Sequence, residues 1–273
     1  MIEQFHRPAT VREALGLQRR FQGRSAFLAG GTWLNSRDAA PHPAHCISLE
    51  RLGLDRVEAQ QGQTSIGATC TLQRLLDDRR VPAALRAALA QVVSRNIRNA
   101  ATLGGHLASR PAVSDVIPML IALDAKVVLA RPGGTKTLRV ADYAARPEAG
   151  LITKLVVPKP GAGRLAACRN VRGSANGRSV VSAAVSLSAP RGLVQDAVIA
   201  IAGVARHVVR LTPVEEELDG RPLPPPDELQ AKVSRRVRPG ATPSASAAFR
   251  RYEAGVAVAL AFRDALRQKR GRR

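Results

Sequence analysis

Two pairs of adjacent glycines are the part of this sequence with the clearest potential for chemistry. The first pair lies in residues 29–32, directly after the apolar run at 26–28, and the second lies in residues 102–106. Adjacent glycines allow positive φ angles and a close approach of the backbone to a ligand. Successive N–H groups in such a loop form a concave site for a phosphate or pyrophosphate. We therefore expect the two loops to close on one dinucleotide from two sides.

Polar residues around these loops have both functional and structural interpretations. Asp115 is a candidate ligand contact and also a candidate helix N-cap, and the two roles are compatible. His106 is more often a hydrogen-bonding residue in such a position than a catalyst, and Arg98 suits an ion pair or a phosphate contact. Trp33 suits either packing or stacking on an aromatic ring. The glycine pairs themselves could be two structural turns, and we predict no catalytic residue.

The three cysteines, Cys46, Cys70 and Cys168, lie far apart in the sequence. No CxxC spacing occurs, so we expect neither a zinc site nor an iron–sulfur cluster within this chain. A sparse and odd number of cysteines also argues against a disulfide framework. The sequence therefore predicts partly buried free thiols and no metal site.

The formal net charge of +21, supplied mostly by arginine, is the strongest bias in the composition. Such a charge attracts nucleic acid, anionic lipid or an acidic partner. A nucleic-acid module would add interleaved aromatic residues or a known motif, but only 3% of the residues are aromatic and no such motif occurs. We expect no specific nucleic acid and interpret the charge mainly as an arginine-biased composition, with an acidic protein partner as the functional alternative.

The sequence shows no membrane or export signal. No apolar run approaches the roughly 18 residues of a spanning helix. The first residues lack the basic segment and apolar run of a secretory signal. We therefore expect a cytoplasmic protein that does not associate with membranes.

Helices and strands are predicted on both sides of each loop. Thr10 and Glu13 predict a capping box for a helix that precedes the strand at 26–29. Further strands are expected at 46–49, 65–69, 126–129 and 151–157, and helices at 72–76, 83–93 (with Pro82 at N1) and 115–123. The second glycine pair is thus predicted to lie in a loop between two helices.

The Pro/Gly-rich segment at 158–163 is the best candidate for a domain boundary. Strands are predicted after it at 164–172, 179–188 and 194–204, followed by a linker at 222–226 and helices at 227–237 and 245–266. Thr212 and Pro213 predict the N-cap and first residue of a short helix between the strands and the linker. Strands followed by helices indicate an α+β C-terminal part.

Several motifs occur in an order that resembles a known family. They are residues 1–8, the loop at 29–32, Ile66-Gly67-Ala68, Ile97-Arg98-Asn99 with Thr102-Leu103-Gly104-Gly105, Asp115 and residues 120–125. The sequence resembles the FAD-binding subunit of the molybdenum hydroxylases, the xanthine dehydrogenase and carbon monoxide dehydrogenase type. The closer likeness is to the small bacterial xanthine-dehydrogenase-like FAD subunit, and it extends over essentially the whole chain.

The resemblance implies an α+β fold with an FAD-binding part of the PCMH type. Residues 1–55 and 56–160 would be two α/β subdomains that hold FAD between them, and residues 161–273 an α+β C-terminal flavoprotein domain. The two glycine loops would wrap the pyrophosphate and ribityl chain, Asp115 would help to hold the cofactor, and Ile152 would lie against the isoalloxazine. The implied cofactor-binding residues are Ala29, Gly30, Gly31, Thr32, Trp33, Leu34, Arg98, Thr102, Leu103, Gly104, Gly105, His106, Asp115, Ile152 and Arg169.

The sequence departs from the family pattern at three places. Trp33 stands where relatives often carry Asp, and His106 stands where they often carry Asn. A polar or basic residue near the reactive edge of the flavin, often Lys in the family, corresponds to Arg169 or Asn170 with an ambiguous register. FAD remains the expected cofactor, and NAD, a quinone and oxygen all remain open as the electron acceptor.

The resemblance implies an oxidoreductase flavoprotein that acts as an electron-transfer subunit. A molybdopterin-binding subunit would oxidise the substrate and a 2Fe-2S subunit would deliver the electrons, so the isolated chain would be inactive toward a purine or an aldehyde. One alternative is a self-sufficient flavin oxidoreductase, for which Tyr143, Tyr252 and His207 offer no convincing acid/base constellation. The other is a basic nucleic-acid-binding protein without flavin, which predicts steeply salt-dependent DNA binding.

Overall fold

The computed structural model of the chain describes residues 2–36, 42–92, 94–174 and 177–270. Within these ranges the strands form a three-stranded, a five-stranded and a four-stranded sheet, which follow one another along the sequence. Helices flank each sheet, so the α+β architecture expected from the sequence is confirmed. No helix in these ranges is long and apolar enough to cross a membrane.

The first sheet contains only parallel strands. Its elements are β1 (Gln4–His6), α1 (Val11–Arg20), β2 (Ser25–Leu28) and β3 (His45–Ser48). β1 and β2 both pair with β3, which is therefore the central strand. Thr10 caps α1 as predicted, because its Oγ1 accepts the N–H of Glu13, whereas the Glu13 carboxylate accepts the N–H of Ala9, one residue before the position that a capping box uses.

The second sheet is antiparallel and has the strand order β4-β5-β8-β6-β7. Its strands are β4 (Val57–Gln60), β5 (Gln63–Gly67), β6 (Lys126–Arg131), β7 (Gly134–Arg139) and β8 (Leu151–Pro158). Its helices are α2 (Leu72–Asp77), α3 (Ala83–Ala90), α4 (Arg95–Ala100), α5 (Leu103–Ser109), α6 (Ile117–Ala122) and α7 (Val140–Ala145).

Two local predictions in this part were wrong. The segment at 102–106 is not an open loop, because Thr102 is the N-cap of α5 and both glycines lie in its first turn. Pro82 is the N-cap of α3 rather than its first residue, with an extended ψ of 135°. Proline supplies no side-chain cap, and the extended backbone before the helix suits its fixed φ.

The third sheet is antiparallel and is covered by helices. Its strands, in the order β12-β11-β10-β9, are β9 (Leu165–Arg172), β10 (Ser179–Ser188), β11 (Gln195–Ala202) and β12 (Val209–Arg210). The helices are α8 (Thr212–Leu218), α9 (Pro226–Arg236) and α10 (Ala247–Arg270), and a short 3-10 turn spans Pro190–Gly192. The predicted cap at Thr212 was wrong, because the Leu211 carbonyl accepts the first helical N–H groups and Thr212 lies inside α8.

Strand β8 joins two hydrophobic cores. Leu151 packs with Ala14, Ile47 and Leu49 in a small core beneath the first sheet. The next residue, Ile152, belongs to the large core of the second part, because adjacent side chains of a strand point to opposite faces. The large core also includes residues from the third sheet, among them Ala166, Ala184, Val198 and Ala200. The three sheets are therefore packed through shared cores.

Candidate functional site

The first glycine loop contacts the end of α4 at Gly30. A Cβ atom added to Gly30 would lie 1.7 Å from the carbonyl oxygen of Ala100 and 2.6 Å from its carbonyl carbon. The backbones are thus in direct contact, which only glycine permits at this position. Because Ala100 ends α4 and lies just before Thr102, the first loop abuts the segment that leads into the second glycine pair. The structure therefore brings together the two segments that the sequence singled out.

The first loop presents backbone donors that have no acceptor among the described residues. Within the described residues, the N–H groups of residues 30–34 donate no hydrogen bond. The loop is held by two bonds that leave them free, from the Asn35 N–H to the Gly31 carbonyl (3.0 Å) and from the Ser36 N–H to the Trp33 carbonyl (2.8 Å). Gly31 takes the predicted positive φ of 68°. A run of unpaired amides after a parallel strand is suited to phosphate oxygens.

Ser36 adds a further donor at the end of this loop. Its hydroxyl is buried and has no hydrogen-bond partner among the described residues. Buried polar atoms are nearly always paired in folded proteins, so an orphaned hydroxyl beside a row of free amides marks a place for a polar ligand atom. The sequence offered no signal for Ser36, because its burial depends on the packing of the loop.

The second glycine pair is arranged differently. The N–H groups of residues 103–106 all donate within the chain, to Cys70 O (3.0 Å), Ala68 O (2.9 Å), Thr102 Oγ1 (3.2 Å) and Thr102 O (2.8 Å) in order. Neither Gly104 nor Gly105 has a positive φ, so that part of the prediction was wrong. A Cβ on Gly104 would lie 2.6 Å from the Cβ of Ala68. Gly104 thus lets α5 pack against the end of β5 rather than forming an anion-binding loop.

Ile152 lies near this second segment. The pairing of β6 with β8 shifts between Val128 and Leu129, which leaves Thr153 as a bulge beside Ile152. The Thr153 carbonyl accepts the N–H of Ala68 (2.9 Å), the residue that Gly104 contacts. Ile152 itself is buried in the large core. The bulge therefore lies beside the second glycine segment, and the Ile152 side chain points into the large core.

His106 is a neutral hydrogen-bond acceptor. Its Nε2 lies 2.8 Å from Ser114 Oγ, which already accepts the N–H groups of Val116 (3.2 Å) and Ile117 (2.9 Å). With both lone pairs occupied, the Ser114 hydroxyl donates its proton to Nε2, which places the histidine proton on Nδ1. Loss of solvation lowers the pKa of His106 to about 4. The hydrogen-bonding interpretation of His106 thus agrees with the geometry.

The same bonds revise the interpretation of Asp115 as a helix cap. Ser114, not Asp115, accepts the first N–H groups of α6. Asp115 Oδ1 instead accepts the hydroxyl of Ser179 (2.6 Å) and the amide of Asn170 (2.9 Å), both from the third sheet. Burial raises the pKa of Asp115, and these hydrogen bonds together with the Arg172 charge oppose the rise. Asp115 therefore ties the segment before α6 to β9 and β10.

The side chains of Arg169 and Asn170 lie on opposite faces of strand β9. The Arg169 guanidinium forms an ion pair with Asp264 of α10, whereas Asn170 reaches Asp115 on the opposite face of the strand. The structure therefore does not bring Arg169 to the other candidate residues, and Asn170 is the residue of this pair that joins them. Cys168 shares the face of Asn170, and burial followed by the charge of Asp115 raises its pKa to about 11, so its thiol stays protonated.

Arg98, in α4, and Trp33, in the first glycine loop, lie on the two segments that meet at Gly30 and Ala100. Arg98 Nε donates to Gln73 Oε1 (2.9 Å) and its Nη1 donates to the carbonyl of Val92, so the guanidinium is fastened to its own subdomain. The Trp33 side chain is 39% exposed, which leaves its ring available for a ligand or a partner. Thr32 and Leu34 are half-buried between the free amides.

The histidine and tyrosines outside the junction form no acid/base group. Tyr143 is buried in the large core, Tyr252 is exposed on α10, and His207 lies near β12. Among the described residues no group of three or more His, Cys, Asp or Glu could hold a metal ion. The arrangement is therefore suited to holding a phosphate-bearing ligand rather than to catalysing a reaction with protein side chains.

Two family profiles match the chain. Residues 1–160 match the family described as FAD binding domain in molybdopterin dehydrogenase. Residues 166–265 match the family described as CO dehydrogenase flavoprotein C-terminal domain. Together the two matches include both glycine segments, Asp115, Ile152 and Arg169.

Curated proteins and solved structures also resemble the chain. It is 39% identical over 265 residues to the Escherichia coli protein named Uncharacterized protein YgfM, covering 97% of this chain and 96% of that protein. It is 31% identical over 147 residues to the nicotinate dehydrogenase FAD-subunit of Eubacterium barkeri, covering 51% of this chain and 50% of that protein. The carbon monoxide dehydrogenase of Hydrogenophaga pseudoflava superimposes with a TM-score of 0.89 at 24% identity, covering 97% of this chain and 98% of that one. At this identity the structural likeness concerns the fold.

Proposed function

Because this chain belongs to the family of FAD-binding subunits of molybdenum hydroxylases, we propose that it is the electron-transfer subunit of a molybdopterin-dependent hydroxylase or dehydrogenase. Its cofactor is FAD, and it is an oxidoreductase flavoprotein subunit. The substrate-oxidising and iron–sulfur centres are proposed to lie on partner chains. The relative from Eubacterium barkeri is itself named as an FAD-subunit, which supports this division.

The observation that carries the proposal is the row of free amides at residues 30–34 beside the contact between Gly30 and Ala100. Amides without acceptors fit the diphosphate of FAD, and the orphaned Ser36 hydroxyl fits a neighbouring polar atom of the cofactor. When bound, FAD supplies the redox centre that receives electrons from a 2Fe-2S partner and passes them to NAD or another acceptor.

The remaining residues are proposed to shape the site rather than to react. Thr102 and Gly104 hold α5 against the end of β5. The segment at 102–106 is thus the second wall of the proposed site, opposite the first wall formed by residues 29–34. Ile152 is proposed to lie against the flavin ring, where an apolar side chain excludes water. Asp115, before α6, and Asn170, on the third sheet, would close the site, in place of the predicted Arg169. Leu103 and His106 support these residues from α5, and Ala29, Thr32, Trp33 and Leu34 would complete the first wall.

The deciding experiment begins with the purified chain, its visible spectrum and the identification of any chromophore released by heat. We expect FAD in nearly equal proportion to protein. Purines and aldehydes should leave the flavin oxidised in the isolated chain and should reduce it only after molybdopterin and 2Fe-2S partners are added. Direct reduction by a substrate would instead identify a self-sufficient oxidoreductase. A chain that takes up no FAD even on reconstitution contradicts the proposal.

The electron acceptor is tested on the same preparation. Anaerobic addition of NADH to the isolated chain should reduce the flavin if NAD exchanges electrons at this subunit. An oxidised flavin after this addition, followed by reoxidation of the assembled complex by a quinone or by oxygen, would assign the acceptor to one of those molecules.

A further inference from the structure

A groove lies between α9 and α10 on the C-terminal part of the chain. Its volume is about 440 Å³, and it is lined by Ala231, Ser234, Arg235, Arg238 and Arg251. We call it the arginine groove. The two helices contact each other closely beside it, because a Cβ on Gly255 would lie 2.5 Å from the Gln230 carbonyl oxygen. The Ser234 hydroxyl also donates to the Arg251 carbonyl (3.1 Å), which links α9 to α10 beside the groove.

The arginines of the groove have no carboxylate partner in the part of the chain that the structure describes. Arg235, Arg238 and Arg251 form no ion pair with any described residue. Their neighbours on α9 are paired, since Arg236 contacts Glu217 at 2.5 Å and Lys232 contacts the same carboxylate at 3.5 Å. Three like charges that share a groove repel one another until an anionic group neutralises them. The groove therefore suits an anion that the described residues do not supply.

The chemistry of the groove favours a carboxylate-bearing polypeptide over a small phosphate. Guanidinium groups bind carboxylates through two parallel hydrogen bonds, and arginine is enriched in protein interfaces. The groove volume of about 440 Å³ is far larger than one oxyanion, and its arginines come from both sides, Arg235 and Arg238 from the end of α9 and Arg251 from α10, which suits several carboxylates on one segment. Arg238 already binds the carbonyls of Arg235 (2.6 Å) and Val237 (3.0 Å).

We propose that the arginine groove binds an acidic segment of a partner subunit, with carboxylates paired to Arg235 and Arg251. The proposal rests on the proposed function for the existence of a partner subunit but does not require flavin. The groove lies between two helices and offers three arginines, whereas a nucleic acid would need contacts to a row of phosphates. The occupant is therefore a protein segment rich in Glu or Asp.

The test measures binding of a short fluorescent glutamate-rich peptide to the full chain. The groove variant is the double substitution Arg235→Glu/Arg251→Glu. Its matched control is Arg12→Glu/Arg19→Glu, which changes the net charge equally at exposed residues of α1 that form no ion pair with any described residue. We expect the groove variant to weaken binding about tenfold and the control to weaken it about twofold at most.

Three outcomes would overturn the proposal. Equal weakening in the two double variants would mean that the peptide senses only the net charge. Displacement of the peptide by inorganic phosphate at matched concentration would identify a small-anion site. Binding of a DNA duplex with the same dependence on Arg235 and Arg251 would assign the groove to nucleic acid. The flavin content of each sample separates this result from a failure of the proposed function, because peptide binding is expected with or without flavin.

A second measurement uses the assembled complex. A photo-crosslinking residue in place of Ala231, which lies on the groove floor, should capture an acid-rich peptide of a partner subunit. Recovery of an intact complex whose crosslinks from this position never reach a partner subunit would contradict the proposal. The Arg12→Glu/Arg19→Glu variant of the same crosslinking chain should give an unchanged crosslink.

Discussion

Gly30 carries the contact on which the proposed cofactor site depends. A methyl group at this position would lie 1.7 Å from the Ala100 oxygen, so Gly30→Ala must push the first loop away from α4. We expect the flavin-to-protein ratio of this variant, measured after heat release, to fall at least about tenfold, because misplaced donors lose the energy of several charge-assisted bonds. Gly16→Ala, where no atom lies within 4 Å of the added methyl, should keep its flavin. Full flavin content in Gly30→Ala would refute the two-wall site.

His106 should contribute to acid sensitivity. Its pKa is lowered from 6.5 to about 4, so between these values the unfolded chain binds a proton at this residue that the native chain does not. The stabilisation is fully present above about pH 6.5 and is lost as the pH falls toward 4. We expect His106→Gln to remove on the order of 2 kcal/mol of the stability loss between about pH 7 and 4.5, measured by urea unfolding. An unchanged pH dependence would show that His106 titrates normally.

At the residue scale the sequence predicted which segments meet but not how each one acts. Both glycine pairs looked alike in the sequence, yet only the first leaves its amides free. The difference arises from Ala68 and Ala100, which contact Gly104 and Gly30. Ala100 carries no signal in sequence, and Ala68 was named only as part of the motif Ile66-Gly67-Ala68, because close backbone contacts depend on tertiary packing. Ser114, which accepts the N–H groups of Val116 and Ile117, could have been recognised from the sequence, since serine favours the segment just before an apolar helical run.

At the element scale, periodicity and turn residues predicted most of the sheets. Strand β10 has the predicted bounds, and β8, β9 and α10 differ from theirs by a few residues. Helices α4 and α5 were missed because glycine and asparagine have low helix propensity. They form because Ser94 and Thr102 cap them and because Ala68 accepts the N–H of Gly104. Tertiary packing here overrides local preference.

Two helix glycines should respond in opposite ways to substitution by alanine. Gly16 lies inside α1 with open space around it, so Gly16→Ala should raise the free energy of unfolding by about 0.5–1 kcal/mol. Gly255 lies inside α10, where the methyl would meet the Gln230 carbonyl at 2.5 Å, so Gly255→Ala should lower it by about 1–3 kcal/mol. Denaturant unfolding of both variants measures the difference. Equal changes in the free energy of unfolding would mean that helix propensity, and not the contact with Gln230, determines the effect of the substitution.

At the scale of the whole molecule, the shared cores predict cooperative unfolding. The small core beneath the first sheet takes Leu151 from β8, and the large core takes residues from the third sheet. We therefore expect the full chain to unfold in one thermal transition. A fragment of residues 1–160 would leave the shared apolar surface uncovered, so it should lack dispersed NMR signals and bind no FAD. Native-like signals from this fragment would show that its core is self-sufficient.

The unequal use of backbone donors in the two glycine segments makes cofactor loading visible to hydrogen–deuterium exchange. Amide hydrogens at residues 30–34 have no acceptor among the described residues, so without FAD they should exchange almost as fast as in an unstructured peptide. Those at 103–106 are already bonded and should exchange slowly in both states. Saturation with FAD should therefore protect the first segment alone. The second segment is then an internal reference within the same protein, and uptake of the cofactor becomes measurable without partners, substrate or turnover.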